Sequence, residues 1–122
     1  MSERLRLYGI KNCDTVRKAR KWLEAHHYSY QFNDFREDGL SSQWLSDWCD
    51  RLGWEQLLNR RSTSWRQVSA AAKENLHQSD ALKLMLETPT LIKRPLLEFN
   101  DTLIIGFDPA RYQQTLTEDS TK

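Results

Sequence analysis

Long apolar runs are missing from this chain of 122 residues. Its mean hydropathy is -0.77, and nowhere do the roughly 18 apolar residues of a membrane-crossing helix follow one another. A soluble protein is expected. Charge of one sign is missing too, because 18 Lys and Arg stand against 17 Asp and Glu for a net +1. Binding to nucleic acid or to an anionic membrane surface normally rests on a large one-signed field, so neither partner is expected. Cysteine is scarce: Cys13 and Cys49 have 35 residues between them, with no Cys-x-x-Cys pair. A disulfide framework and a four-ligand zinc site built by this chain alone are thereby excluded. The histidines, His26, His27 and His77, do not stand at i, i+4 spacing with one another or with a cysteine, so no metal is expected. The four glycines form neither Gly-x-Gly-x-x-Gly nor a phosphate loop, which leaves nucleotide binding unsupported. Met1-Ser2-Glu3-Arg4-Leu5 lacks the apolar core of a signal peptide, and this predicts a cytoplasmic chain with reduced thiols. Whatever chemistry is present falls on a thiol.

A chain of this length buries roughly two-thirds of its unfolded surface and needs no cross-link to hold one core. Leu5 and Leu7 alternate with Arg4 and Arg6 up to Gly9, a short strand and its exit. From Asp14 to about His26, Val16, Ala19 and Leu23 recur at helical spacing. Tyr28, Tyr30 and Phe32 then alternate with polar residues as a second strand, so the opening reads β-α-β with parallel strands. Ser41 or Ser42 caps a helix carrying Trp44, Leu45, Trp48, Cys49 and Leu52 on one stripe, and Gly53 stops it. Leu57 to Ser64 reads as polar turn. Thr63 or Ser64 caps a helix through Val68, Ala71, Ala72 and Leu76, and Ser79 starts another that ends at Thr88-Pro89. Pro95 to Phe99 and Thr102 to Phe107 form a hairpin about Asn100-Asp101, and Asp108-Pro109 opens a last helix to about Leu116. The expected fold is α/β and thioredoxin-like, a mixed four-stranded sheet with a helical insertion. A single domain spans 1–122, with its core at 4–36 and 88–116, the insertion at about 40–87 and a frayed tail at 117–122.

Cys13 falls where the first strand gives way to the first helix. Unpaired backbone N–H groups and the positive helix end there favour thiolate over thiol. Lys11 and Arg17 stand close in sequence and add positive charge. An acidic thiol is the nucleophile that thiol exchange, or attack on an oxyanion, requires. Cys49 lies on an apolar helix stripe beside Trp48 and reads as packing. The five tryptophans read mostly as core, and the run Arg17, Lys18, Arg20, Lys21 as a solvated face. Arg94-Pro95 precedes the third strand, where a cis proline would turn the preceding backbone toward a ligand.

The stretches Tyr8-Gly-Ile-Lys-Asn-Cys13-Asp-Thr15-Val-Arg17-Lys-Ala19, Leu57-Leu58-Asn59-Arg60-Arg61, Pro89-Thr-Leu-Ile-Lys-Arg94-Pro95 and Gly106-Phe107 together resemble the arsenate reductase-related (ArsC-like) family. The likeness covers about residues 4 to 116, and it is greatest to the YffB branch, with the Spx regulators as cousins. The resemblance implies a thioredoxin-like fold with a helical insertion. It implies that Cys13 is the redox thiol, that Arg94 lies beside it, that Pro95 is a cis-proline, and that glutathione is the co-substrate, with no permanently bound cofactor. Lys11, Asn12, Thr15, Arg17, Arg60, Lys93 and Pro95 are the matching candidates for binding glutathione or substrate. The expected activity is that of a glutathione-dependent thiol oxidoreductase acting on a disulfide or a small oxidised substrate, and a monomer is expected. Two positions depart from the arsenate-reducing pattern: Asn59 follows Leu57-Leu58 where those members carry arginine, and Leu103 to Phe107 contains none. Val16 stands where Spx regulators commonly carry a second cysteine. An arsenate reductase using Arg60, and a non-catalytic Spx-like protein-binding adaptor, are the alternatives.

Overall fold

Along the chain the elements are β1 (Leu5–Gly9), α1 (Asp14–Ala25), β2 (Gln31–Asp34), α2 (Ser42–Leu52), α3 (Trp54–Leu57), α4 (Thr63–Arg66), α5 (Ala70–Lys73), α6 (Gln78–Glu87), a 3-10 turn (Pro89–Leu91), β3 (Leu96–Phe99), β4 (Thr102–Ile105) and α7 (Pro109–Ser120). The computed structural model describes residues 5–120, with side chains through Thr117. Arg4, expected in the first strand, lies outside the described residues. The chain separates into one unit of residues 1–38 and 94–122 and a second of residues 39–93.

The first unit is the sheet and its helices. The strand order is β2-β1-β3-β4, with β1 parallel to β2 and antiparallel to β3, and β3 antiparallel to β4. This is the mixed four-stranded sheet that the sequence predicts. Its central strand β1 buries Leu5 and Leu7 on one face and Tyr8 on the other. Val16, Ala19 and Leu23 of α1 are fully buried. Ala19 and Leu23 pack with Leu7, Leu97 and Ile104 of the sheet and with Tyr112 and Leu116 of α7. Each such leucine contributes about 1.5–3 kcal/mol by leaving water. The two-residue turn Asn100-Asp101 joins β3 to β4, with Asn100 at φ 54°.

Strand β2 starts at Gln31, three residues later than the aromatic alternation suggests. The cause is the end of α1: His27 adopts φ 62° and the Tyr28 N–H donates to the Leu23 carbonyl at 2.9 Å. That left-handed closure spends Tyr28 on the helix terminus, where it stacks on Trp22. The last helix also differs, because α7 runs to Ser120 rather than stopping near Leu116. Only Thr121 and Lys122 of the expected tail lie outside the described residues.

The second unit is helical. The Ser41 hydroxyl accepts the N–H groups of Gln43 and Trp44 to start α2, and Gly53 at φ 91° ends it. Leu45, Trp48 and Cys49 of α2 are buried, as are Leu57 of α3 and Ala81 and Met85 of α6. The single helix expected through Val68 and Leu76 is instead two isolated turns, α4 and α5. Ser62 caps the first and Ser69 the second, its hydroxyl accepting the Ala72 N–H. Neither turn buries a residue, so no packing outweighs the new cap at Ser69. α6 begins at Gln78, with His77 rather than Ser79 at its start. Among the described residues no helix is long and apolar enough to cross a membrane.

Candidate active site

Cys13 is the N-cap of α1, in extended backbone at φ -125° and ψ 128°, and its carbonyl accepts the Arg17 N–H at 2.9 Å as the first helical bond. β1 and α1 meet closely here: a Cβ on Gly9 would stand 2.8 Å from Val16 Cγ2. The glycine is therefore what lets the helix start so near the strand end. The thiol is half-buried, and burial by itself pushes its pKa up. The N–H of Val16, the guanidinium of Arg94 and the N–H of Thr15 outweigh that burial and hold the thiol below its ordinary range. A thiolate at this position meets two donors of the first turn and one cation.

Arg94 comes from the entry to β3 and is half-buried. Its peptide bond to Pro95 is cis, and the Pro95 carbonyl accepts the Gly106 N–H at 2.7 Å. Lys11 and Arg17 are engaged elsewhere. The Lys11 ammonium lies 2.5 Å from the Glu37 carboxylate, and the Arg17 guanidinium pairs with Asp14 one turn back. Both pairs are exposed. The charge that sequence proximity assigned to these two cations is thus met locally by carboxylates, and the cation that acts on the thiol is Arg94. Asn12 and Thr15 are exposed at the rim, where Thr15 contributes its N–H.

In the second unit, Arg60 and Lys93 line a cavity of about 420 Å³ together with Glu55, Leu58, Asn59 and Arg61. Two backbone bonds build it. The Asn59 N–H donates to the Leu91 carbonyl at 2.7 Å, and the Lys93 N–H to the Leu57 carbonyl at 2.8 Å. The Asn59 side chain accepts the Arg61 N–H at 3.1 Å and holds the turn that projects Arg60 and Arg61. Arg60 also lies over the Trp54 ring at 5.9 Å. Three cations against one carboxylate make the cleft an anion-favouring surface.

The family model of the ArsC family matches residues 8–115. The chain belongs to the ArsC family. An uncharacterized protein of Haemophilus influenzae is 44% identical over 107 residues, 88% of this chain and 94% of its own length. The regulatory protein MgsR of Bacillus subtilis is 30% identical over 115 residues, 89% of this chain and 87% of its own. The solved YffB protein superposes with a TM-score of 0.88 at 42% identity, covering 92% of this chain and 98% of that one. The thioredoxin-like fold and the arsenate reductase-related family are therefore those that the motifs point to.

For an ArsC-family chain the second cysteine is in a contrasting place. Cys49 is 2% exposed on α2, and burial, with some help from the Asp50 charge, pushes its thiol up to about 11. Among the described residues no group of three His, Cys, Asp or Glu is placed to hold a metal ion. One residue at the site escaped the sequence reading. Asp34, at the end of β2, is 3% exposed and accepts the N–H groups of Lys11 at 2.9 Å, Arg36 at 2.7 Å and Glu37 at 3.0 Å. The signal for its local half was present, since an aspartate leaving a strand and followed by polar residues is a turn former. The bond to Lys11, 23 residues away, has no signature along the chain.

Proposed function

We propose that this ArsC-family chain is a cytoplasmic glutathione-dependent thiol oxidoreductase with Cys13 as its nucleophile. The observation that supports it is the half-buried Cys13 thiol at the start of α1, acidified by the Val16 and Thr15 N–H groups and by Arg94. In the reaction, the Cys13 thiolate attacks one sulfur of a disulfide RS–SR′. The S–S bond breaks, R′S⁻ leaves and takes a proton, and a mixed disulfide Cys13–S–SR remains. One glutathione thiolate displaces RS⁻ from the Cys13 sulfur, and a second displaces the Cys13 thiolate. Two glutathiones are oxidised to their disulfide and one substrate disulfide is reduced to two thiols. Arg94 steadies the thiolate both as attacking and as leaving group, which is where charge-assisted contact is worth most. Lys11 and Arg17, by exchanging their exposed carboxylate partners, offer cations to the glutathione carboxylates.

Incubation with oxidised glutathione and intact-mass measurement tests this. One glutathionyl adduct on Cys13 is expected, with Cys13→Ser giving none and losing turnover, and with Cys49→Ala within a few-fold of wild type. Absence of the adduct in the folded wild type defeats the proposal. Arsenate needs several fixed donors, and with Asn59 after Leu57-Leu58 and no arginine in Leu103 to Phe107, arsenate turnover no better than the thiol background is expected. Glutathione-dependent arsenate turnover that disappears in Arg60→Ala would put arsenate reduction in its place. A protein-binding role without catalysis is the second reading, favoured by the match to a regulatory protein. It has no use for an acidic Cys13, so the same thiol measurements separate the two.

A further inference from the structure

We propose that Asp34 is the positioning residue of this site: its buried carboxylate pins the loop between β1 and α1 and so keeps the Cys13 thiol on its donors. This rests on the reading of Cys13 as the nucleophile. Between Gly9 and Asp14 the chain is irregular, and the link that reaches into it from the side is Lys11 N–H to Asp34 Oδ2 at 2.9 Å, two residues before the thiol. The other oxygen, Oδ1, accepts the N–H groups of Arg36 and Glu37 and so fixes the turn that follows β2. The Phe35 N–H adds a bond to the Gly9 carbonyl at 2.8 Å. One carboxylate therefore ties the loop carrying the nucleophile to the loop after the neighbouring parallel strand. Among the described residues it is the buried charged side chain, and burial opposes its ionisation while the three N–H groups and the Lys11 charge more than compensate. An anion joined to the loop two residues before the thiol would by its charge alone oppose a thiolate, whereas by its hydrogen bond it holds the loop in place.

That last point sets the test, because charge and position predict opposite signs. Asp34→Asn keeps an oxygen for Arg36 and Glu37 but turns an N–H toward the Lys11 N–H, breaking the link. If Asp34 acted only as a nearby anion, removing it would lower the midpoint of Cys13 alkylation against pH or leave it alone. As a positioning residue, its loss raises the midpoint toward the free-thiol value of about 8.5 and slows alkylation at pH 7 severalfold. The other charges around the carboxylate are Lys11, Glu37 and Asp38. Asp38→Asn, which removes a neighbouring charge but leaves an acceptor for the Asp34 N–H, should leave the midpoint in place. Lys11→Pro removes the donor with Asp34 intact and should raise the midpoint beyond Lys11→Ala, which covers the case in which Asp34→Asn fails to fold. An unchanged or lowered midpoint in Asp34→Asn, or in Lys11→Pro relative to Lys11→Ala where that pair has to decide, overturns the inference. A wild-type midpoint at the free-thiol value, or no adduct with glutathione, overturns the functional reading instead.

Discussion

Alkylation of the native protein with iodoacetamide at pH 8 should label Cys13 and spare Cys49, because burial raises the second thiol while donors at the helix start lower the first. With its thiol near 11, about one Cys49 in a thousand is ionised at pH 8. A free thiol near 8.5 is ionised in roughly one molecule of four at that pH, and Cys13, with its first-turn donors and Arg94, no less. Thiolate fraction alone therefore separates the two by roughly two hundredfold. A more basic thiolate is also the better nucleophile, with a slope of about 0.4–0.5 per pKa unit, and this returns about tenfold over the difference. About twentyfold in rate remains, before counting that a side chain 2% exposed keeps the reagent out. Peptide mapping of a time course gives both rates in one sample. In denaturant, where both thiols are ordinary, the rates should come within about twofold. Equal native rates, or faster labelling of Cys49, would refute the assignment of the nucleophile.

Arg94→Ala removes the cation acting on the thiol, so the Cys13 midpoint should rise, and glutathione should bind about tenfold more weakly, as loss of a charge-assisted contact of about 1.5–3 kcal/mol implies. Calorimetry or competition against the wild type measures the second effect, and unchanged affinity would remove Arg94 from the binding site. Gly9→Ala should destabilise by about 1–3 kcal/mol, because the new methyl meets the buried Val16 at 2.8 Å. Denaturant midpoints would show it, and the pair Gly9→Ala with Val16→Ala should cost less than the sum of the single changes if the clash is the cause.

Local signals made much of the fold legible. Ser41 and Gly53 bracket α2 as capping rules require, the period of Val16, Ala19 and Leu23 marks the inner face of α1, and Asn100-Asp101 marks the hairpin. The losses occur where a decision is made by packing or by a distant partner. Ser69 could cap or sit mid-helix, and the absence of a buried face over Val68 to Leu76 settled it. At the site, the place of Cys13 between strand and helix was legible from periodicity and its pairing with Arg94 was implied only by the family resemblance, whereas the fate of Lys11 and Arg17 depended on carboxylates at Glu37 and Asp14 that compete for them. Asp34 is the extreme case, since its role depends on a bond across two strands.

The central place of β1 has a consequence for synthesis. The strand pairs with β3, and the guanidinium that acidifies Cys13 belongs to a residue 81 positions later in the chain. At about 5–20 residues per second, a ribosome takes roughly 4–16 s between the two. During that interval all of residues 39–93 has been made, while β1 still lacks its β3 neighbour and the thiol its arginine. A nascent or truncated chain thus carries a Cys13 without its guanidinium, and full acidity arrives only when the sheet closes around it.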